Sequence, residues 1–279
     1  MEIEASKNDL RLKGFARVMS LPQTLDCGQA FRWRATNDTE TEFSGVVGNK
    51  LLLISSEGDD IILHNTTEED YYNIWENYFD VKRDYESLKA EFSEDEVLKE
   101  AISYAPNIRV LSQEPWETTV SFIISANNNI KRIKGIIDRL CESFGEKLDE
   151  GAYTFPTAER LAELSLEELE VIRAGFRNKY ILDCAKKVAS GEIDFEYIKA
   201  LDTDSARKEL MKIKGIGPKV AECALLFGFN RAECFPMDTW MKKVMTSLYP
   251  QGLPSNIIPN AGIAQQYLFH YARNHSEIF

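Results

Sequence analysis

Along the first hundred residues the apolar positions come in short runs of strand type. Phe43 to Val47, Leu51 to Ile54 and Ile61 to Leu63 are apolar or β-branched, and the turn sequences Gly48-Asn49-Lys50 and Ser56-Glu57-Gly58-Asp59-Asp60 separate them. Runs of this length between such breaks predict hairpins. Thr66 with Glu69 has the form of a capping box, and beyond it Tyr71, Ile74, Trp75, Tyr78 and Phe79 fall on one helical face. Residues 1–100 are therefore expected to form a lobe with a small twisted antiparallel sheet carrying helices.

From about residue 95 the period becomes helical and stays so. Pro115 suits a first helical turn ahead of Val120, Phe122, Ile123 and Ile124. After Asn127-Asn128-Asn129, the positions Ile130, Ile133, Ile137, Leu140, Cys141 and Phe144 recur at three and four, and Gly145 follows as a stop. Thr157 and the Ser165/Glu168 pair predict caps for two short helices, the second ending at Gly175. Two more are expected, from about Phe176 to Val188 and from about Ser205 to Ile213. The fold class is α+β, with residues 101–279 mostly α-helical.

Composition narrows the class without choosing a function. With 279 residues, 44% hydrophobic and 28% charged, the chain is long enough for a sizeable core and more than one lobe. No apolar run approaches the ~18 residues of a membrane span, and the segment Met1 to Lys7 lacks the basic-then-apolar form of a signal peptide. Cys27, Cys141, Cys184, Cys223 and Cys234 are scattered, odd in number and include no Cys-x-x-Cys pair. Neither zinc nor an iron–sulfur cluster is expected from them, and a reducing intracellular compartment is (cytoplasm and nucleoid in a bacterium, nucleus in a eukaryote). His64, His270 and His275 are too few for a histidine-rich metal centre.

The net charge of −12 seems to argue against nucleic acid. Its distribution removes the objection. Residues 57–100 hold fifteen Asp/Glu against four Lys/Arg, whereas residues 205–250 hold eight Lys/Arg against four Asp/Glu. The acid sits in one block and the base elsewhere.

The most informative stretch is Leu210-Met-Lys-Ile-Lys-Gly-Ile-Gly-Pro-Lys-Val-Ala221. An apolar helix end meets Gly215-Ile216-Gly217, and Pro218 can start a second helix carrying Val220, Ala221, Ala224 and Leu225. Gly215 and Gly217 allow a tight hairpin and close approach of a ligand to the backbone. The free N–H groups of the second helix form a phosphate site that needs no basic side chain. An ordinary turn between helices could use the same glycines, but the twelve-residue pattern as a whole reads as a helix-hairpin-helix, which grips a DNA backbone without reading sequence.

Nineteen residues after Lys219 stands Asp238, in Cys234-Phe-Pro-Met-Asp238-Thr-Trp. Separately, Asp238 is a helix cap and Lys219 a surface charge. Together they suggest an amine nucleophile held in its reactive form by a helix N-terminus and a nearby buried surface. A carboxylate beside it would assist charge development and proton transfer.

Hairpin, lysine and Pro-x-Asp resemble the helix-hairpin-helix (HhH-GPD) DNA glycosylase superfamily, and specifically the 8-oxoguanine DNA glycosylase/AP lyases. Three further segments match in order: Cys27-Gly28-Gln29-Ala30-Phe31-Arg32-Trp33, Ser125-Ala126-Asn127-Asn128-Asn129-Ile130 and Ala261 to Phe269. The resemblance implies a bifunctional enzyme in which Lys219 attacks C1′ and forms a Schiff base before β-elimination, with Asp238 stabilising the oxocarbenium charge. It implies a flipped base lying between Cys223 and Phe269. There Gly28 accepts the N7–H that 8-oxoguanine has and guanine lacks, and Gln265 reads the Watson–Crick edge. Asn127 fills the vacated gap, Phe176 is the wedge, and Arg132 and Arg177 bond the orphaned base, so that cytosine is preferred opposite the lesion.

Trp240 departs from the pattern, standing where better-known members carry a phosphate-contacting histidine. That contact is expected either to be absent or to be replaced by the indole N–H. The chain also runs only ten residues past Phe269, and the 57–100 acidic block is expected to face away from DNA. The partner is double-stranded DNA, the protein is expected to act as a monomer, and no cofactor is implied beyond a possible cation at the hairpin backbone. Three alternatives stand beside this reading. An alkylation-type monofunctional glycosylase lacks the lysine, an endonuclease III-like enzyme needs cluster cysteines that are missing here, and a non-catalytic hairpin module needs neither Lys219 nor Asp238.

Overall fold

The structure, a computed structural model, describes residues 2–6, 8–149 and 151–275. What the sequence suggests of Met1, Lys7 and the last four residues lies outside them. Six strands, β1 Glu2–Ala5, β2 Asp9–Lys13, β3 Arg34–Ala35, β4 Glu42–Val47, β5 Lys50–Glu57 and β6 Asp60–His64, form one sheet in the order β1-β2-β6-β5-β4-β3. Every neighbouring pair is antiparallel. The two anticipated hairpins close where the turn residues stand, with Val47 opposite Lys50 and Glu57 opposite Asp60. Strands β1 and β2 carry no clear run of their own in the sequence, and β1 is largely exposed.

One face of the sheet packs Leu10, Leu12, Phe43, Leu52, Ile54, Ile61 and Leu63 against Trp33, Tyr71, Trp75 and Phe79. The cap before this aromatic segment is Thr67, not Thr66. The Thr67 hydroxyl accepts from Asp70 N at 3.0 Å, whereas that of Thr66 donates to the His64 carbonyl. The following helix is wound as a π-helix over Tyr71–Trp75, which turns Tyr71, Trp75, Tyr78 and Phe79 inward while Tyr72 stays exposed.

Helical structure also starts earlier than the pattern suggests. Helices Tyr85–Phe92 and Glu96–Tyr104 begin on the side chains of Asp84 and Asp95. A second core gathers Tyr85 and Phe92, then apolar residues through to Ala272, with Phe31 reaching in from the first lobe. Pro115–Ser125 begins with its proline in the first turn, and Ile130–Phe144 is capped by Asn129 and stops at Gly145. Ser165 and Glu168 do cap each other, but over a short 3₁₀ turn, Glu168–Ile172. Arg173, in the left-handed region at φ 59°, ends that turn; Gly175 instead opens the next one, and the long helix that follows is Asn178–Ala189. A helix at Phe195–Ala200 was not anticipated, and the one expected from Ser205 runs Thr203–Leu210.

Candidate active site

Two chambers meet between the lobes. The outer one is a cleft of about 470 Å³ lined by Gly28, Phe122, Asn127, Lys219, Asp238, Trp240 and Phe269, among others. The inner one, about 40 Å³, adds Cys223, Pro236, Gln265 and Gln266 to Gly28, Lys219, Asp238 and Phe269. Its volume admits little more than a water molecule, and Gly28, Phe122, Lys219, Asp238 and Phe269 line both chambers.

Each reactive side chain sits at the beginning of a helix. Lys219 is the second residue of Pro218–Gly228 and Asp238 caps Thr239–Ser247, its Oδ1 accepting from Met241 N at 2.8 Å. The capping bond fixes the carboxylate's orientation and leaves acceptor capacity on the other oxygen. Lys219 Nζ stands 5.2 Å from the centre of the Phe122 ring. That ring is held from both sides, stacked on Phe227 at 5.3 Å and edge-on to Phe31 at 5.6 Å. Burial pushes the Cys223 thiol up, while the charge of Lys219 and its hydrogen bond pull the other way. Lysine, cysteine and aspartate thus occupy one small polar spot in an apolar wall.

Gly28 has φ +93°, a conformation that glycine adopts without cost. Its neighbour Gln29 fixes the loop. The fully buried Gln29 amide donates to Thr24 O and Arg109 O and accepts from Leu111 N, each at 2.8 Å. The Gly-Gln pair therefore has a division of labour, with glutamine anchoring and glycine presenting backbone. Phe269 lies beside this glycine, its ring 3.7 Å from where a Cβ on Gly28 would stand, and under the Arg273 guanidinium, 5.4 Å from the ring centre.

The Asn-rich turn is braced from below. Arg177, 2% exposed, directs Nε and Nη2 to Ala126 O, Nη2 also to Asn127 O, and Nη1 to Ala174 O. Asn127 is held there at φ 50° and is exposed. Phe176 projects beside it, 57% exposed, with the Arg177 guanidinium 4.5 Å from its ring centre. Arg132 is exposed and close enough to lower the pKa of Arg177, burial being the larger cause. Of these four residues only Asn127 lines the cleft.

The hairpin forms as the sequence suggests, but docked on another helix. Ile213 and Ile216 are buried, and Asp183 accepts from Lys214 N at 2.9 Å. Gly215, at φ +87°, lies so close to Tyr180 that a Cβ would stand 2.5 Å from its ring. Gly217 caps Pro218–Gly228 without a side chain, so the first-turn N–H groups have no side-chain partner at the cap.

Sequence reasoning passed over Phe122, Gln266 and Arg273. Phe122 lies in an apolar run and reads as core, and nothing in its spacing marks it as the ring beneath a lysine. A larger cavity, about 790 Å³, lies elsewhere, lined by residues including Glu114, Glu117, Trp116 and Phe155. Burial raises the pKa of both glutamates, yet its lining holds neither lysine nor cysteine. The smaller cleft is the one onto which Lys219 and Asp238 both open. Among the described residues no group of three or more His, Cys, Asp or Glu could hold a metal ion, and no helix is long and apolar enough to cross a membrane.

Comparison with known proteins places these features. Residues 12–119 match the family described as 8-oxoguanine DNA glycosylase, N-terminal domain, and residues 120–253 the HhH-GPD superfamily base excision DNA repair proteins. The N-glycosylase/DNA lyase of Saccharomyces cerevisiae is 38% identical over 152 residues, which are 49% of this chain and 40% of that protein; the match thus spans less than half of the curated relative's length. Two solved structures are similar throughout. MBOgg1 in complex with a low affinity DNA ligand is 40% identical with a TM-score of 0.92, covering 99% of each chain. The Clostridium acetobutylicum 8-oxoguanine glycosylase/lyase, in complex with double-stranded DNA containing cytosine opposite 8-oxoG, is 37% identical with a TM-score of 0.90 and the same coverage.

Proposed function

The chain belongs to the 8-oxoguanine DNA glycosylase family of the HhH-GPD superfamily, and on that footing we propose that it excises 8-oxoguanine from double-stranded DNA and then nicks the strand. The observation that carries this reading is the inner chamber. Lys219 and Asp238, at the starts of two different helices, open onto the same space as Gly28, Cys223, Gln265 and Phe269.

The chemistry follows from that placement. A flipped purine between Cys223 and Phe269 puts its C1′ toward Lys219. As the C1′–N9 bond breaks, the electron pair leaves with the base, and Asp238 faces the positive charge growing on the sugar. The amine of Lys219 forms the C1′–N bond, its two protons passing to the departing base and to O4′ as the C1′–O4′ bond breaks, which leaves an imine; loss of a C2′ proton then expels the 3′-phosphate. Water then releases the enzyme. Gly28 O supplies the acceptor for N7–H, which rejects guanine for want of one donor. The first-turn N–H groups of Pro218–Gly228 hold a phosphate. A cation at the remaining hairpin carbonyls would add charge neutralisation and take no part in the bond changes. Arg132, Asn127 and Phe176 stand at the Asn-rich turn to meet the gap and the orphaned base, which favours cytosine opposite the lesion, and Arg177 braces that turn from below. The reading needs no partner subunit.

The test is a duplex with one 8-oxoguanine opposite cytosine. Nicking without alkali is expected, and Lys219→Gln should abolish both base release and nicking while DNA affinity changes by no more than about threefold. Nicking retained in the variant rejects the assignment, and nicking that appears only after alkali makes the enzyme monofunctional.

A further inference from the structure

The helix Ala261–Asn274 carries two buried glutamines in succession, and only Gln265 has a place in the reading above. Consecutive helical residues do not normally face each other, yet these two amides bond directly. Gln266 Nε2 donates to Gln265 Oε1 at 2.7 Å, Gln265 Nε2 donates to Pro236 O at 3.4 Å, and Gln266 Oε1 lies 3.7 Å from Cys27 Sγ. Three segments far apart in sequence thus join in one line that ends beside Gly28.

The polarity of this line is fixed from its ends. The oxygen and nitrogen of a primary amide have nearly the same shape, so partners decide which lies where. Pro236 O only accepts, so Gln265 must turn its NH₂ toward it and its oxygen toward Gln266. Gln266 must answer with its own NH₂, which turns its oxygen to Cys27. The thiol there is a donor, shared with Thr24 O at 3.4 Å, and burial pushes its pKa up to about 11, so it keeps its proton. Inverting Gln265 alone would set oxygen against oxygen at Pro236 and NH₂ against NH₂ at Gln266.

Each polar atom of the Gln265 amide has two hydrogen-bonding positions, and the protein uses one of each. What remains for a ligand in the chamber is one N–H beside one lone pair, in an order that Gln266, through the shorter bond, and Pro236 O set together. That pair complements a purine edge with C=O beside N–H. It opposes an edge with NH₂ beside a bare ring nitrogen, where donor meets donor and acceptor meets acceptor.

We propose that Gln266 is a positioning residue that locks the Gln265 amide in one polarity, so that the pocket accepts 8-oxopurines with a keto edge and rejects those with an amino edge. The proposal rests on the reading of Gln265 as the residue that meets the flipped base.

The test compares the wild-type chain with Gln266→Met and Gln266→Leu, two apolar replacements of different shape so that a packing fault in one leaves the other. Single-turnover excision is measured on duplexes holding 8-oxoguanine, 8-oxohypoxanthine or 8-oxoadenine. All three carry N7–H and differ only at the Watson–Crick edge. Nicking of a preformed abasic site, which needs no base reading, is measured alongside. The wild type should act on both keto bases. In the variants, the ratio of 8-oxoadenine to 8-oxoguanine excision should rise about tenfold, with abasic-site nicking within about twofold of wild type. An unchanged ratio overturns the proposal, and so does a parallel fall in excision and abasic-site nicking, which would leave Gln266 a packing role only. A wild-type chain that leaves 8-oxoguanine intact overturns the functional reading itself and the proposal with it.

Discussion

Arg132 and Arg177 have the same side chain and opposite surroundings. Arg177 is buried and its guanidinium is spent on three backbone carbonyls, those of Ala126, Asn127 and Ala174. Arg132 is exposed at the first turn of Ile130–Phe144, where its backbone N–H is engaged by the Asn129 cap. Hydrogen bonds from a charged donor contribute about 1.5–3 kcal/mol each, and a buried carbonyl left without its donor costs about 1–3 kcal/mol. Arg177→Ala should therefore lower the unfolding free energy by about 2 kcal/mol and slow excision against every opposite base. Arg132→Ala should leave stability within ~0.5 kcal/mol and relax the preference for cytosine. Denaturant unfolding together with excision opposite each of the four bases separates the two, and an equal loss against all four bases in Arg132→Ala would reduce that residue to a phosphate contact.

At the scale of elements, the hairpin concentrates the most exacting local geometry. Gly215 combines φ +87° with the face of Tyr180, a ring on the packed helix Asn178–Ala189. Gly215→Ala adds left-handed strain of about 1–3 kcal/mol and pushes the ring away from the hairpin. Both the denaturation midpoint and affinity for undamaged duplex should fall, since the hairpin holds backbone and not sequence. Stability unchanged within ~0.5 kcal/mol would show that the turn can relax.

The elements that could be read from the sequence are those whose own residues decide them. Pro115, Gly145, Thr157 and Asp238 mark helix ends because caps and breakers act locally, and the turns at Gly48-Asn49 and Gly58-Asp59 set two hairpins for the same reason. What could not be read depends on the tertiary context. Thr66 and Thr67 are equally good caps by type, and the choice falls to the chain's exit from β6. A π-helix inside Tyr71–Trp75 costs local hydrogen bonding and is retained by the packing of three aromatic rings, Trp75, Tyr78 and Phe79. In the site, Lys219, Asp238 and Gly28 were legible through a resemblance. The burial of Arg177 was not, because an arginine at a helix start reads as solvated. Gln266 was equally silent, since its meaning lies in a bond to its own neighbour and a cysteine 239 positions away.

Over the whole molecule, the net charge of −12 is arranged so as not to oppose a polyanion. No residue of the 57–100 acidic block lines either chamber of the site. Several of its carboxylates are paired: Glu57 and Asp60 with Arg11, Asp59 with Arg17, Asp70 with Lys50, and Glu76 with Lys82. These are mostly exposed contacts that solvent screens, so they lower local charge more than they raise stability. All five cysteines are free and buried, and Cys223 alone lines the inner chamber.

The central claim is that Lys219 is the nucleophile on an 8-oxoguanine nucleotide. Borohydride trapping tests it most directly, because reduction of the imine leaves enzyme and DNA joined by a stable C–N bond. A duplex with one 8-oxoguanine, paired in turn with each of the four bases, should give a covalent complex that is strongest opposite cytosine and absent with Lys219→Gln. Base release with no trapped complex would contradict the account and leave hydrolysis led by Asp238. A complex undiminished in Lys219→Gln would place the nucleophile on another amine.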